Sequence, residues 1–276
     1  MILHVVRNTA FSALTASFLL LVHMLLLGSS APRLHRATIH VPEWPAHTPP
    51  VRIALIADLH VAAPSDTPAH LERTVEQVNA DAPDLVLIAG DFISSESIVT
   101  KTYSITTALA PLRALRAPMG TIAVLGNHDY PDAAALRSTL ETWGIRLLDN
   151  EVARRGPLAI LGVGDLSTRH ARPQRTVAAW RAVGGVPIML THNPLVTRRL
   201  PVDVHLALAG HTHCGQISLP LIGPLFYLDR EKTLPGVCGL SIEGTHALIV
   251  TAGLGTSNLP LRSGAPPDIW MITVGG

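Results

Sequence analysis

The sequence predicts an α/β fold, a mixed sheet or layered sandwich, preceded by one N-terminal transmembrane helix. Three observations predict it. Short runs rich in Ile, Val and Leu alternate with helix-compatible segments, polar clusters of Asp, His and Asn follow five of those runs, and about twenty residues near the amino terminus carry no formal charge. A content of 47% hydrophobic and 15% charged residues suits a packed globular chain and excludes disorder, a collagen-like repeat and a disulfide scaffold. Twenty-one Lys plus Arg against twenty Asp plus Glu leave a formal charge of +1, so no long-range field argues for nucleic acid. No obligate protein partner is inferred. Cys214 and Cys238 are too few for a four-thiolate metal cage and say little about redox compartment.

The apolar run from Thr9 to Gly28 (TAFSALTASFLLLVHMLLLG) is long enough to cross a hydrocarbon core as a helix, and no polar face interrupts it as a half-buried helix would require. Gly28-Ser29-Ser30-Ala31 offers the small residues of a cleavage site, yet the run exceeds the roughly 7 to 15 apolar residues usual in a signal peptide. An uncleaved single-pass anchor is the reading, with a cleaved signal and export as the alternative. Arg7 on one side nearly balances Arg33 and Arg36 on the other, so charge does not choose the side of the membrane. The chain then divides into an anchor or signal segment (1–30), a Pro-rich linker (31–50) with His40 to Pro50 as an extended tether, and a globular domain (51–276).

Within the domain, Val51–Ala57, Leu85–Ala89, Thr121–Leu125, Pro187–Leu190 and Val204–Ala209 are continuous apolar runs, as expected of strands buried on both faces. Pro68–Ala80, Ser104–Arg116, Asp132–Trp143 and Pro173–Val183 carry apolar residues at helical spacing, with Pro or Asp near most of their starts. Ala247–Ala252 and Ile269–Val274 read as closing strands without helices between them, which is why a mixed sheet is expected.

The segments after the strands carry the chemistry. Asp58-Leu59-His60 follows the first, Gly90-Asp91 the second, Gly126-Asn127-His128-Asp129 the third, Thr191-His192-Asn193 the fourth and Gly210-His211-Thr212-His213 the fifth. In open α/β sheets ligands bind beyond the carboxyl ends of the strands, so all five clusters should meet in one place. Asp, Asn and His supply oxygen and imidazole donors suited to Mn, Fe or Zn. The spacings Asp-x-His and His-x-His would set both side chains of a pair on one side of an extended segment. One such turn means little; an ordered set of five at one sheet edge is a site.

In this order the clusters resemble the motif series of the calcineurin-like metallophosphoesterases, over Val51 to the carboxyl terminus. The likeness is closest to the membrane-anchored or exported YkuE-like and YaeI-like branch, through Gly210-His211-Thr212-His213, Gly215-Gln216-Ile217, Gly253-Leu254-Gly255-Thr256-Ser257 and Leu259-Pro260-Leu261-Arg262. The resemblance implies a four-layer α/β/β/α sandwich holding two divalent metal ions, Mn before Fe or Zn. Carried over by position, Asp58, His60 and His213 would hold the first metal, Asn127, His192 and His211 the second, and Asp91 would bridge them. His128 is the candidate for stabilising the transition state and protonating the leaving oxygen. Asp129 is expected to orient a neighbour or cap the helix that begins near Pro131. Cys214 stands where the branch has glycine and is read as a small buried residue, and Leu228–Gly244 is given no role. Arg169 and Arg172, in the stretch after Asp165, and Arg262 beside the glycine loop are candidate clamps for a substrate phosphate.

The function expected is metal-dependent hydrolysis of a phosphodiester or pyrophosphate, with a lipid-linked substrate fitting the anchor. The alternatives are a phosphomonoesterase, a pyrophosphatase for a UDP-diacylglucosamine-type substrate, and, against the completeness of the ligand set, a noncatalytic scaffold.

Overall fold

The computed structural model describes residues 2–94, 98–199, 201, 203–219, 223–224 and 238–276. The elements run α1 (Ile2–Gly28), β1 (Arg33–His40), β2 (Val51–Ile56), α2 (Pro68–Ala80), β3 (Leu85–Ile88), α3 (Ile105–Leu109), β4 (Thr121–Val124), α4 (Ala133–Thr142), β5 (Ile145–Leu148), β6 (Glu151–Arg155) and β7 (Leu158–Val163). They continue with α5 (Pro173–Val183), β8 (Val186–Thr191), β9 (Leu206–Ala209), the short β10 (Ser218–Leu219) and β11 (Gly223–Pro224), β12 (Gly239–Glu243), β13 (His246–Val250) and β14 (Asp268–Gly275).

Two six-stranded mixed sheets carry the fold, in the orders β1-β14-β2-β3-β4-β5 and β12-β13-β9-β8-β7-β6. Alternation along β2 shows how they are used. Ile53 and Leu55 point into the core between the sheets, with Ile188, Leu190 and Leu208 from the other sheet, while Ala54 and Ile56 point outward beneath α2, α3 and α4. Outside the second sheet, Val177 and Trp180 of α5 cover Leu161 and Met189. Helices, sheet, sheet and helix therefore form the four-layer α/β/β/α sandwich. Its central strands are buried on both faces, and every residue of β3, β4, β7, β8 and β9 is buried.

Two expectations about elements are corrected. The segment 31–50 is not all linker: Arg33–His40 is a strand, paired in parallel with β14 over eight residues from Arg33↔Asp268 to His40↔Gly275. It is an edge strand with most of its side chains facing water, so its sequence RLHRATIH shows no continuous apolar run. The single helix expected over Ser104–Arg116 divides, because Pro111 offers no backbone N–H; an α-turn at Ile105–Leu109 passes into a 3-10 segment, Ala110–Ala114.

Among the described residues, α1 meets the domain at its carboxyl end. Its apolar span Phe11–Gly28 has a mean hydropathy of 2.0 and is only 6% buried, with Phe11 and Leu14 each 71% exposed. An apolar face of that size is unsupported in water.

Candidate metal centre

All five polar clusters meet at one edge of the sandwich, where the parallel strands of both sheets end. β2, β3 and β4 deliver Asp58, His60, Asp91 and Asn127; β8 and β9 deliver His192, His211 and His213. Asp58, His60, Asp91, His192, His211 and His213 are all buried, while Asn127 and His128 are half-buried on the rim.

The ligand pairs are not extended, as their spacing suggested. Asp58 (φ 51°), His60 (φ 40°), Asp91 (φ 56°), His211 (φ 73°) and His213 (φ 49°) occupy left-handed backbone, so each strand end turns sharply. Those turns separate His211 from His213: His213 Nε2 lies 3.8 Å from Asp58 Oδ1, whereas His211 Nδ1 lies 3.1 Å from His192 Nε2. A side chain at Gly126 would overlap the Asp91 carboxylate, so only glycine permits the third cluster to close on the second.

The donors fall into two groups that share Asp58, with Asp91 lying between His60 of one and His192 of the other. Ligand atoms of Asp58, His60 and His213 lie within 4.8 Å of one another, as do those of Asp58, Asp91 and His192. Asp91 Oδ2 is 3.5 Å from His60 Nε2 and 3.3 Å from His192 Nε2. His192 Nδ1 is 2.8 Å from the Ala89 carbonyl, a bond that requires the proton on Nδ1 and turns Nε2 toward Asn127 Oδ1 (3.0 Å) and His211 Nδ1 (3.1 Å). Two imidazole nitrogens and an amide oxygen thus face a common point. Both ring nitrogens of His60 are buried without a hydrogen-bond partner among the described residues. Orphaned imidazole nitrogens beside ionised carboxylates are the donor set of divalent cations, so the residues fit the two metals implied by the sequence.

Electrostatics favour the donor forms of His60, His211 and Asp91 and oppose those of His192 and Asp58. Burial lowers His60 to about 4 and His211 to about 3, so both rings are neutral with lone pairs available at neutral pH. Burial opposes ionisation of Asp91, yet the charge and hydrogen bond of His192 hold its carboxyl well below the usual range. His192 in turn is raised to about 10, because Asp91 and Asp58 outweigh its burial. Burial pushes Asp58 up to about 7.

His128 takes a rim position. Its backbone N–H donates to Asp91 Oδ1 (2.9 Å), and its Nε2 stands 4.0 Å from Asp91 Oδ2 with the side chain 29% exposed. Asp129 orients neighbours and makes no side-chain cap: Oδ2 accepts from Asp91 N and Gly126 N, and Oδ1 from Phe92 N, each at 2.8 Å. It ties the second and third clusters together, and burial together with the Asp91 charge raises it to about 7.

Two readings change, those of Arg262 and Cys214. Arg262 does not reach a substrate: it is fully buried, and its guanidinium donates to the carbonyls of Ala252, Gly253, Gly255 and Ala265 while abutting His213 Nδ1 at 3.5 Å. It clamps the glycine loop. Arg169 and Arg172 are exposed on the 165–172 loop, and Arg172 spends its Nη1 on the carbonyls of Arg169 and Ala171. That loop adjoins the third cluster through Tyr130, whose ring stacks on His170 at 3.8 Å. Cys214 is more than a small buried residue, because it forms a disulfide with Cys238. An even number of cysteines behind an apolar leader was the signal for that pairing. Leu228–Gly244 lies outside the described residues up to Val237 and supplies Cys238 and β12 beyond it.

Comparison with known proteins gives the geometry a family. Residues 51–215 match the profile of the calcineurin-like phosphoesterases. The chain is 31% identical over 236 residues to the uncharacterized metallophosphoesterase YkuE of Bacillus subtilis (strain 168), covering 81% of this chain and 78% of that one. It is 31% identical over 236 residues to phosphodiesterase YaeI of Escherichia coli (strain K12), covering 81% and 82%. A transmembrane protein with metallophosphoesterase domain from Danio rerio is 28% identical over 281 residues, covering 95% of this chain, which spans only 62% of that relative's length. With the profile match over residues 51–215 and relatives at 31% identity over 81% of its length, the chain belongs to the calcineurin-like metallophosphoesterases, a family of phosphoester hydrolases.

Proposed function

We propose that the protein is a membrane-anchored, two-metal phosphodiesterase that uses Mn²⁺ to cleave a phosphodiester or pyrophosphate bond in a lipid-linked substrate. The observation that carries this reading is the place of Asp91, within 3.5 Å of His60 and 3.3 Å of His192, at the seam of the two donor groups. Two cations close together need an anion between them, and a buried carboxylate held ionised is that anion. Asp58, His60 and His213 would hold the first metal, and Asn127, His192 and His211 the second. When bound, the pair supplies charge neutralisation at the phosphoryl oxygens and acidifies the attacking water.

The other groups divide the remaining work. His128, on the open rim, donates a proton to the leaving oxygen. Arg169 and Arg172 receive the non-reacting phosphate or headgroup from their exposed loop. The phosphodiesterase named in Escherichia coli supports the bond type, and the zebrafish relative named as transmembrane supports the anchor, as does the exposed apolar surface of α1. Anchoring raises the effective concentration of a substrate held in the same bilayer.

The test is hydrolysis of bis-p-nitrophenyl phosphate by the full chain in detergent, stripped of metal and then supplied with Mn²⁺, with Asp91→Asn as control. Turnover that requires Mn²⁺ and disappears in the variant is expected. Two bound metals per chain with no diester turnover, but hydrolysis of p-nitrophenyl phosphate, would replace this reading with a phosphomonoesterase.

A further inference from the structure

The anchor is docked on the domain. Only Ser29 to Pro32 separate α1 from β1, and Gln77 Nε2 of α2 donates to the Pro32 carbonyl at 3.1 Å. The backbone N–H of Arg262 donates to the Met24 carbonyl at 3.0 Å. Gly28 is buried, and a side chain there would meet the Pro260 carbonyl at 3.3 Å. The last turn of α1 therefore lies against the loop that ends at Arg262.

Depth follows from helix geometry. Met24 is four residues inside the span Phe11–Gly28, which at about 1.5 Å per residue is about 6 Å from its end. A loop bonded at Met24 sits level with the final turn of the helix. At that level Leu259 is 39% exposed and Leu261 half-buried, while Pro260 is buried, and Leu219 nearby is 37% exposed on the strand tied in by the Ile217–Ser263 bridge. The same loop forms a wall of the metal centre: Leu254 N donates to the Ala57 carbonyl at 3.0 Å and Gly255 N to the Asp58 carbonyl at 2.6 Å.

We propose that the Gly253–Arg262 loop is a membrane-contact element. Leu259, with Leu219 beside it, rests in the boundary between headgroups and acyl chains of the bilayer that holds α1, and the metal centre opens at the lipid surface. An apolar tip at that depth is favoured for the reason amphipathic segments lie in an interface, the burial of apolar area beside headgroups. The proposal deepens the anchored reading above and rests on it.

The test uses the full chain in phosphatidylcholine and phosphatidylglycerol vesicles, labelled with an environment-sensitive NBD fluorophore at Leu259→Cys. The native cysteines are paired with each other and do not compete. The control is Ile242→Cys, apolar and 66% exposed but near the β12–β13 turn, at the far end of the strands from the metal centre. Lipids spin-labelled near the headgroup should quench the probe at 259 severalfold more than the probe at 242. Equal quenching at both sites, or none at 259, overturns the proposal. Extraction with alkaline carbonate separates the two readings: a released protein refutes the anchor, whereas an integral protein with an unquenched probe refutes only the loop contact.

A separate observation bears on the side of the membrane. Cys214, next to the ligand His213, is bonded to Cys238 across 24 residues of chain. Disulfides persist in oxidising compartments and are rare in the cytosol. We infer that the domain faces the oxidising, non-cytoplasmic side, a choice that Arg7 against Arg33 and Arg36 leaves open. Cells quenched in acid and treated with a polyethylene glycol maleimide should yield protein that shifts in mass only after reduction. Two thiols reactive before reduction would overturn the assignment.

Discussion

The two halves of the candidate metal centre are built differently. In the half made by Asn127, His192 and His211, hydrogen bonds orient the donors in advance: Ala89 holds His192 from behind at 2.8 Å, and Asn127 and His211 stand at 3.0 and 3.1 Å. In the half made by Asp58, His60 and His213, the rings stack at 5.2 Å and neither nitrogen of His60 has a hydrogen-bond partner among the described residues. Backbone holds that half instead, through left-handed turns, the glycine loop over Asp58 and the disulfide beside His213. One half is aimed by side-chain bonding and the other by main-chain shape, so different substitutions should disturb each.

The largest effect should come from Asp91, which lies 3.5 Å from His60 of one half and 3.3 Å from His192 of the other. Asp91→Asn is expected to abolish turnover and lower metal content at both halves, measured by elemental analysis beside the diester assay; two retained metals with full activity would refute the bridging role. His128→Ala should leave both halves loaded while slowing turnover by roughly two to four powers of ten, the scale of a lost proton donor. Loss of metal in that variant would make His128 a ligand. Asp129→Asn should weaken the bond-oriented half and the bridge by about 10- to 100-fold in metal affinity, because it loosens the loops of Asp91 and Asn127, while a chelator titration finds the first half nearly unchanged. The smallest effect on chemistry belongs to the paired change Cys214→Ser with Cys238→Ser. It should weaken only the backbone-held half, by a few fold, and lower stability by roughly 3 kcal/mol, the scale for a closed loop of this length in a urea titration.

How much of this is legible in the sequence differs between the centre and the edges of the sheets. β2, β3, β4, β8 and β9 show as continuous apolar runs because both of their faces are buried. β1, β6 and β12 do not, because edge strands keep most side chains half-buried or exposed and need no apolar run. β7 shows the same apolar pattern in LAILGV and is likewise buried throughout. The ligands themselves are legible because each follows its own strand by one to a few residues, and a sheet brings strand ends together whatever the connecting segments do.

Composition and local pattern thus settle the donor types, the buried strands and the apolar span of α1. Folding decides the rest, through pairings between residues far apart in the chain. Asp129 meets Asp91 N across 38 residues, Thr256 meets Asp66 across 190, and Arg262 N meets Met24 O from the opposite end of the protein. Whether an arginine faces a substrate or clamps a loop, and whether a helix swings on a tether or is docked, depends on which distant backbone groups need a partner once water has been excluded.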